Sequence, residues 1–170
     1  MTCEISDTRT AASTPARASM AKSGAVILGA LLLSAAHWAT AAGDTPVGTW
    51  TTIDDDSGKP RALVRIEELD GALSGRIVRL FRDPGEDPAP LCKDCSGERH
   101  DRPVIGMTIL WNMRRHGNEW SGGEILDPES GKVYRCTLHT AAGGMQLEVR
   151  GFIGISLLGR TQVWRRAADP

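Results

Sequence analysis

The residues best suited to chemistry are two cysteines three positions apart, Cys92 and Cys95. Thiols at this spacing form a local disulfide, a redox-active dithiol or part of a metal site. A redox dithiol needs a thiolate stabilised by a helix N-terminus or nearby cations, yet Asp94 lies between the cysteines and no helix is predicted to begin there. A zinc site would add His100 and still lack a second ligand pair. The spacing alone leaves all three possibilities open, but the sequence around the cysteines gives little support to the redox dithiol or the metal site.

Other catalytic signatures are missing from the sequence. It has no Gly-x-Ser-x-Gly elbow, no His-Glu-x-x-His pair and no phosphate-binding glycine loop. Cys136 alternates with Tyr134 and Leu138 on a predicted strand, which indicates a buried apolar position. We therefore expect no catalytic residue, no metal site and no cofactor.

The cellular compartment bears on the thiol chemistry. Residues 20–41 have the pattern of a secretory signal peptide, with Lys22 before an apolar stretch at 24–36 and a cleavage site at Ala39-Thr40-Ala41. The apolar stretch is shorter than the roughly 20 residues that span a membrane. We expect an exported protein, periplasmic or secreted, with no stable membrane span after cleavage.

The leader also changes the cysteine count. Residues 1–19 are interpreted as a disordered extension or a mis-assigned start, with the true start at Met20. Cys3 then lies outside the mature chain, which leaves Cys92 and Cys95 as a natural pair. In an oxidising compartment this pair favours a structural disulfide.

Charge excludes some partners. The chain carries 20 Lys and Arg against 21 Asp and Glu, and the two signs alternate along it. A nucleic-acid-binding surface needs a basic stripe, and a polybasic membrane anchor needs a basic block. We expect neither nucleic acid nor such an anchor.

Short apolar runs separated by turn signals predict an all-β domain over 46–166. Asp70-Gly71 is a favoured two-residue hairpin turn. Tight hairpins between all but two of the runs predict a single antiparallel up-and-down barrel of eight strands, which closes to remove its edges. The predicted strands are 47–53, 61–68, 72–81, 105–113, 119–126, 132–140, 145–152 and 160–166.

The long segment 82–103 interrupts this rhythm with four prolines and the cysteine pair. A loop of this length inside a compact domain is functional or crosslinked. One hypothesis makes it the contact surface of an envelope protein-interaction module, held in shape by the disulfide.

The candidate ligand surface is the barrel interior, since eight strands enclose side chains or one small ligand. Met and Trp side chains suit irregular apolar ligands, although they also simply fill a small barrel. The candidate lining residues are Met107, Ile109, Trp111, Met113, Trp120 and Met145.

Several motifs, in their order and spacing, resemble the exported bacterial family known as domain of unknown function 2147, which is similar in architecture to the lipocalin-like calycins. The resemblance implies a fold and a compartment, and no activity. The motifs are Pro46-Val-Gly-Thr-Trp50, Gly71-x-Leu-x-Gly75, Cys92-x-x-Cys95, Pro103-x-x-Gly106, Trp120-x-x-Gly123, Asp127-Pro-x-x-Gly-Lys-x-Tyr134, Leu147-x-Val-Arg-Gly151 and Leu158-Gly-Arg-Thr-Gln-x-Trp164.

The calycin resemblance also implies how the barrel closes. Calycins have Gly-x-Trp on the first strand and a basic residue near the end of the last strand, stacked on that Trp. Here these are Gly48 and Trp50, with Arg165 or Arg166 following Trp164. The expected role is a structural cation–π plug, and the alternative is that Trp50 lines the ligand mouth.

We therefore expect an exported, non-enzymatic β-barrel that binds a small, largely apolar ligand or an envelope component. The alternatives are the protein-interaction module, with an envelope protein as partner, and a thiol-redox or metal-binding protein acting through Cys92 and Cys95.

Overall fold

The computed structural model describes residues 44–169, so the predicted extension at 1–19, the signal peptide at 20–41 and Cys3 lie outside the described residues. Eight antiparallel strands form a closed barrel, in which each strand pairs with the next and the last pairs with the first. This confirms the predicted fold class. The strands are β1 (Gly48–Ile53), β2 (Pro60–Leu69), β3 (Ala72–Leu80), β4 (Thr108–His116), β5 (Glu119–Asp127), β6 (Lys132–Ala141), β7 (Gln146–Phe152) and β8 (Arg160–Ala167).

The connections divide the barrel into two unlike ends. At what we call the closed end, strands are joined by the short turns 70–71, 117–118 and 142–145. Asp70 and Gly71 both have positive φ, as the predicted hairpin turn requires. At the opposite, open end lie the connections 54–59, 81–107, 128–131 and 153–159.

The start of β4 differs from the prediction. Residues 105–107 were expected to be strand, but the strand begins at Thr108 and continues to His116. The Met107 N–H bonds to the Val104 carbonyl, and Gly106 has a φ of +87°, so a turn precedes the strand. The long connection therefore reaches further along the chain than expected.

Alternating side chains fill the barrel interior. On β2, Ala62, Val64 and Ile66 are buried on one face, as the sequence pattern predicted. They pack with buried residues from the other strands into one core. Its largest fully buried apolar side chains are Trp50, Trp164, Ile66, Leu73, Leu110, Met113, Leu138 and Leu147.

A close approach of two strands limits one position. A Cβ built on Gly123 of β5 would lie 2.6 Å from the Met113 sulfur and would overlap the Trp111 carbonyl oxygen. The backbone oxygen has little freedom to yield.

We predict that Gly123→Ala lowers the free energy of unfolding by about 1–3 kcal/mol, because overpacking forces the backbone apart. Urea denaturation followed by circular dichroism measures the loss. Gly151→Ala is the matched control, since its Cβ would make an ordinary 3.5 Å contact with the Tyr134 Cβ. Equal stability of the two variants would contradict the prediction.

Candidate functional site

The closed end is plugged by an arginine stacked on a tryptophan. The guanidinium carbon of Arg166, on β8, lies 4.2 Å from the ring centroid of Trp50, on β1. Trp50 is completely buried and donates its indole N–H to the Pro46 carbonyl oxygen at 2.7 Å. Burial lowers the pKa of Arg166, and the carboxylate of Asp169 opposes that shift. The first and last strands are thus joined by a partly desolvated cation.

The same guanidinium also donates hydrogen bonds to backbone carbonyls of two other segments. Arg166 donates to the Val47 oxygen at 2.9 Å, to the Thr45 oxygen at 2.7 Å and to the Gly144 oxygen. Gly48 makes room for it, because a Cβ there would lie 2.6 Å from Nη1. The segment before β1 and the turn between β6 and β7 are therefore tied to the end of β8.

The other two residues proposed for closure lie elsewhere. Arg165 is exposed, because successive side chains on a strand point to opposite faces. Trp164 is buried on the same face as Arg166 but nearer the open end, where it lines a cavity. Trp50 is not among the residues that line this cavity.

The cavity has a volume of about 760 Å³ and lies between the core and the open-end connections. This volume is within the range of small-molecule pockets, roughly 300–1,000 Å³. Its deeper wall is apolar and comes from six strands. The buried apolar side chains on this wall include Val64, Ile77, Ile109, Leu126, Val149 and Trp164.

Charged side chains surround the mouth of the cavity, and most are paired. Arg160 forms an ion pair with Asp55, and Arg61 forms one with Glu129. Arg82 has no such close partner, since its nearest ion-pair contact, to Glu86, is 3.8 Å long. Within residues 44–169, Arg82 Nε is the one buried side-chain nitrogen or oxygen without a hydrogen-bond partner. This covered N–H is thus unused by the protein, while the remainder of the Arg82 side chain lines the cavity.

The long 81–107 connection covers part of the cavity, to which it contributes Pro90, Leu91 and Val104. Backbone hydrogen bonds within the connection hold its two halves together. They include Val104 N–H to the Pro90 oxygen at 3.0 Å and Cys92 N–H to the Arg102 oxygen at 2.9 Å. Pro90, Leu91 and Val104 are thereby held at the cavity, whereas Ile105 is 41% exposed and borders a separate surface depression.

The cysteine pair forms a disulfide at the base of this connection, with the two Cα atoms 5.4 Å apart. Cys92 is completely buried and Cys95 is 5% exposed. The Asp94 carbonyl rests against Gly131, where a Cβ would overlap it. The crosslink thus holds the loop against the turn between β5 and β6.

Four of the six candidate ligand residues belong to the core and Trp111 packs against it, but of the six only Ile109 lines the cavity. Ile109 lines the cavity, whereas Met107 borders a separate surface depression. Met113 and Trp120 are buried in the core. Met145 is 53% exposed near the closed end.

Trp111, the sixth candidate, is partly buried against the core and does not line the cavity. The Arg99 guanidinium carbon is 4.4 Å from its ring centroid, and its indole N–H bonds to Glu124 at 3.1 Å. Trp111 therefore anchors the 81–107 connection to the barrel wall.

Residue type was the wrong guide to the cavity. Val149, Leu126 and Ile77 line it, and none of them was selected from the sequence. A usable signal was present: on each strand, the inward-facing positions nearest the long connections form the wall.

The remaining titratable candidates show no shared site. Burial raises the pKa of the Cys136 thiol to about 12, so it stays protonated and unreactive. The ring nitrogen Nδ1 of His100 lies 3.1 Å from the Cys95 carbonyl oxygen. Among the described residues, no group of three or more His, Cys, Asp or Glu is placed to hold a metal ion. A helix long and apolar enough to cross a membrane is likewise missing from that part of the chain.

Comparisons with known proteins give one family and one solved structure. The model of the family described as an uncharacterized protein conserved in bacteria (DUF2147) matches residues 48–166. Protein HP1028 from the human pathogen Helicobacter pylori, which belongs to the lipocalin family, is similar in structure, with a TM-score of 0.60 and 20% sequence identity. The match covers 72% of this chain and 83% of that one, and at this identity it shows a shared fold. No curated protein matches the sequence.

We predict that Arg166→Ala lowers the free energy of unfolding by about 2–4 kcal/mol, because it removes the cation–π contact and leaves buried carbonyls unpaired. Urea denaturation gives the change. Arg165→Ala, the exposed neighbour, is the control and should stay within about 0.5 kcal/mol of the parent. Similar losses in both variants would show that Arg166 has no special role in closure.

We predict that Cys92→Ser/Cys95→Ser lowers the free energy of unfolding by about 2 kcal/mol. The value is small because the disulfide closes a very short loop and so restricts the unfolded chain little. Unfolding of the parent in reductant should match the double variant, because the same crosslink is lost. A variant as stable as the oxidised parent would rule out a structural role for the disulfide.

Proposed function

The chain belongs to the DUF2147 family, and from that premise we propose that it is an exported, non-enzymatic protein that binds a small, largely apolar ligand inside its barrel. The observation that carries the proposal is the cavity of about 760 Å³, walled by buried aliphatic side chains and Trp164. Apolar walls drive binding through the hydrophobic effect, while a few polar groups fix orientation.

The plugged end supports a binding role. The Trp50–Arg166 contact plugs the closed end, and core residues such as Val64, Ile77 and Trp164 lie at the inner side of the cavity, which is bordered by the open-end connections. Such a cup retains a ligand and offers no passage through the barrel. At its mouth, the partly exposed guanidinium of Arg82, whose nearest ion-pair contact is 3.8 Å long, supplies a positive charge for an acceptor group on the ligand.

Two alternatives have less support. Pro90 and Val104 of the long loop line the cavity, so a protein partner would have mainly the partly exposed Leu91 and Ile105 as apolar surface on this loop. The disulfide is buried at both cysteines, whereas thiol exchange needs access to a sulfur.

Export is part of the same proposal. A disulfide persists in oxidising compartments such as the periplasm or the extracellular space. The bond between Cys92 and Cys95 fits either location. An envelope component with an apolar part, or a small apolar molecule taken up outside the cell, suits this setting.

We predict that the purified protein binds the apolar probe N-phenyl-1-naphthylamine, with a rise in probe fluorescence. Leu80→Arg, which puts a charge on the cavity wall, should weaken binding about tenfold, or about 1.4 kcal/mol. Fluorescence titration measures the dissociation constants.

The matched control is Leu69→Arg, because Leu69 is 75% exposed and lies at the closed end. It should bind the probe like the parent. No binding by the parent, or equal weakening by both variants, would exclude the cavity as the site. Mass spectrometry of organic extracts from the protein purified without detergent then identifies the natural ligand class.

A further inference from the structure

The connection between β7 and β8 exposes four large aliphatic side chains within six residues. Ile153 is 68% exposed and Ile155 is 60% exposed, while Leu157 and Leu158 reach 86% and 79%. Leaving so much apolar area in water opposes the hydrophobic effect, and contiguous patches of this kind mark interaction sites. We call residues 153–158 the apolar tip.

The apolar tip has a fixed shape. Residues Ser156–Leu158 form a 3₁₀ turn, closed by the Leu158 N–H on the Ile155 carbonyl at 3.2 Å. The Arg150 guanidinium holds it from below, donating to the Ser156 oxygen at 2.9 Å and to the Thr161 hydroxyl at 3.0 Å. The aliphatic side chains are therefore presented to solvent by a supported turn.

The tip is continuous with the cavity. Ile153 and Leu158 line the cavity mouth as well as facing solvent, and Phe152 follows them inward. An apolar surface thus runs from the outside of the protein to the buried wall. A lipid bilayer suits this arrangement for two reasons. It would cover the exposed apolar tip, and it dissolves the small apolar molecules that the cavity would bind.

The residue types in and beside the tip favour the same partner. Residues 151–159 carry no charge, and they are flanked by Arg150 and Arg160. Both arginines are exposed or partly exposed. Aliphatic residues between basic side chains are typical of segments that lie in a membrane interface. Because Arg160 is paired with Asp55 and Arg150 supports the turn, the aliphatic side chains make the main contact. Protein-binding hot spots favour aromatic anchors, and residues 153–158 contain none.

We infer that the apolar tip inserts into the surface of a lipid bilayer and brings the mouth of the cavity against it. The identity of the ligand as a lipid-soluble molecule rests on the proposed function. The docking itself rests on the tip alone, so the two can fail separately.

Vesicles of phosphatidylethanolamine and phosphatidylglycerol test the docking by co-sedimentation. We expect the parent to bind, and Ile155→Asp/Leu157→Asp, which changes two exposed tip residues that do not line the cavity, to bind about tenfold more weakly or less. The matched control is Leu69→Asp/Met145→Asp, which changes two exposed apolar side chains near the closed end and should bind like the parent. Retained binding by the tip variant would overturn the inference.

A local probe locates the contact. A fluorophore on Ser156→Cys should be quenched by vesicles with brominated acyl chains, while the same label on Asn118→Cys, at the closed end, should not. Both labelled variants carry Cys3→Ser, and Cys136, the free cysteine within residues 44–169, is buried, so the label is specific. Quenching of both labels or of neither would contradict insertion through the tip.

Two further readouts separate the other outcomes. Sedimentation equilibrium without lipid shows whether the tip instead pairs two copies, and a tip-dependent dimer that does not bind vesicles would overturn the inference. Binding of N-phenyl-1-naphthylamine in solution reports on the cavity alone. The tip variant should keep it, whereas a parent that docks on vesicles without binding the probe refutes the proposed function and leaves the docking in place.

Discussion

The contact between Arg166 and Trp50 is the constraint on which the rest of the structure depends. The first and last strands pair over only three residues of β1, Thr49 to Thr51. A short ladder of this kind closes the barrel, and the partly buried guanidinium strengthens it by joining β8 to the Thr45 and Val47 carbonyls. Closure removes the exposed edges that β1 and β8 would otherwise present. It also gives the interior a floor.

The floor makes the two ends of the barrel different. Short turns at the closed end leave the tightly packed core close to the surface, whereas the long connections at the open end extend the walls beyond the strands. The disulfide and the Asp94–Gly131 contact hold the longest of them in place. The space between these connections and the core is the cavity, so the asymmetry of the loops is what creates a site in a small barrel.

Much of this architecture was readable from the sequence, because strands and tight turns depend on local patterns. Asp70-Gly71 identified its hairpin, and alternation on β2 identified its buried face. Alternation also separates Arg166 from Arg165, since Arg166 shares its face with Trp164. The start of β4 was not predicted correctly, because Gly106 has a positive φ that the neighbouring residues did not indicate.

The cavity wall was harder to predict, since it depends on where each strand begins and ends in space. Met113 and Trp120 have suitable side chains but lie in the packed core, whereas Val149 and Ile77 have ordinary ones and face the cavity. The type of a residue does not determine how far along the barrel axis its side chain lies.

The Arg166 contact also has a consequence for how the chain folds. It joins Arg166 to Thr45 across 121 positions, nearly the whole barrel. This contact forms late in folding, because bringing its ends together costs chain entropy before the contact itself contributes any stabilisation. The hairpins can form as soon as their own strands are available, but the floor waits for the C-terminal strand. A ribosome or an export channel that still holds that strand therefore keeps the barrel unclosed until the entire domain is released.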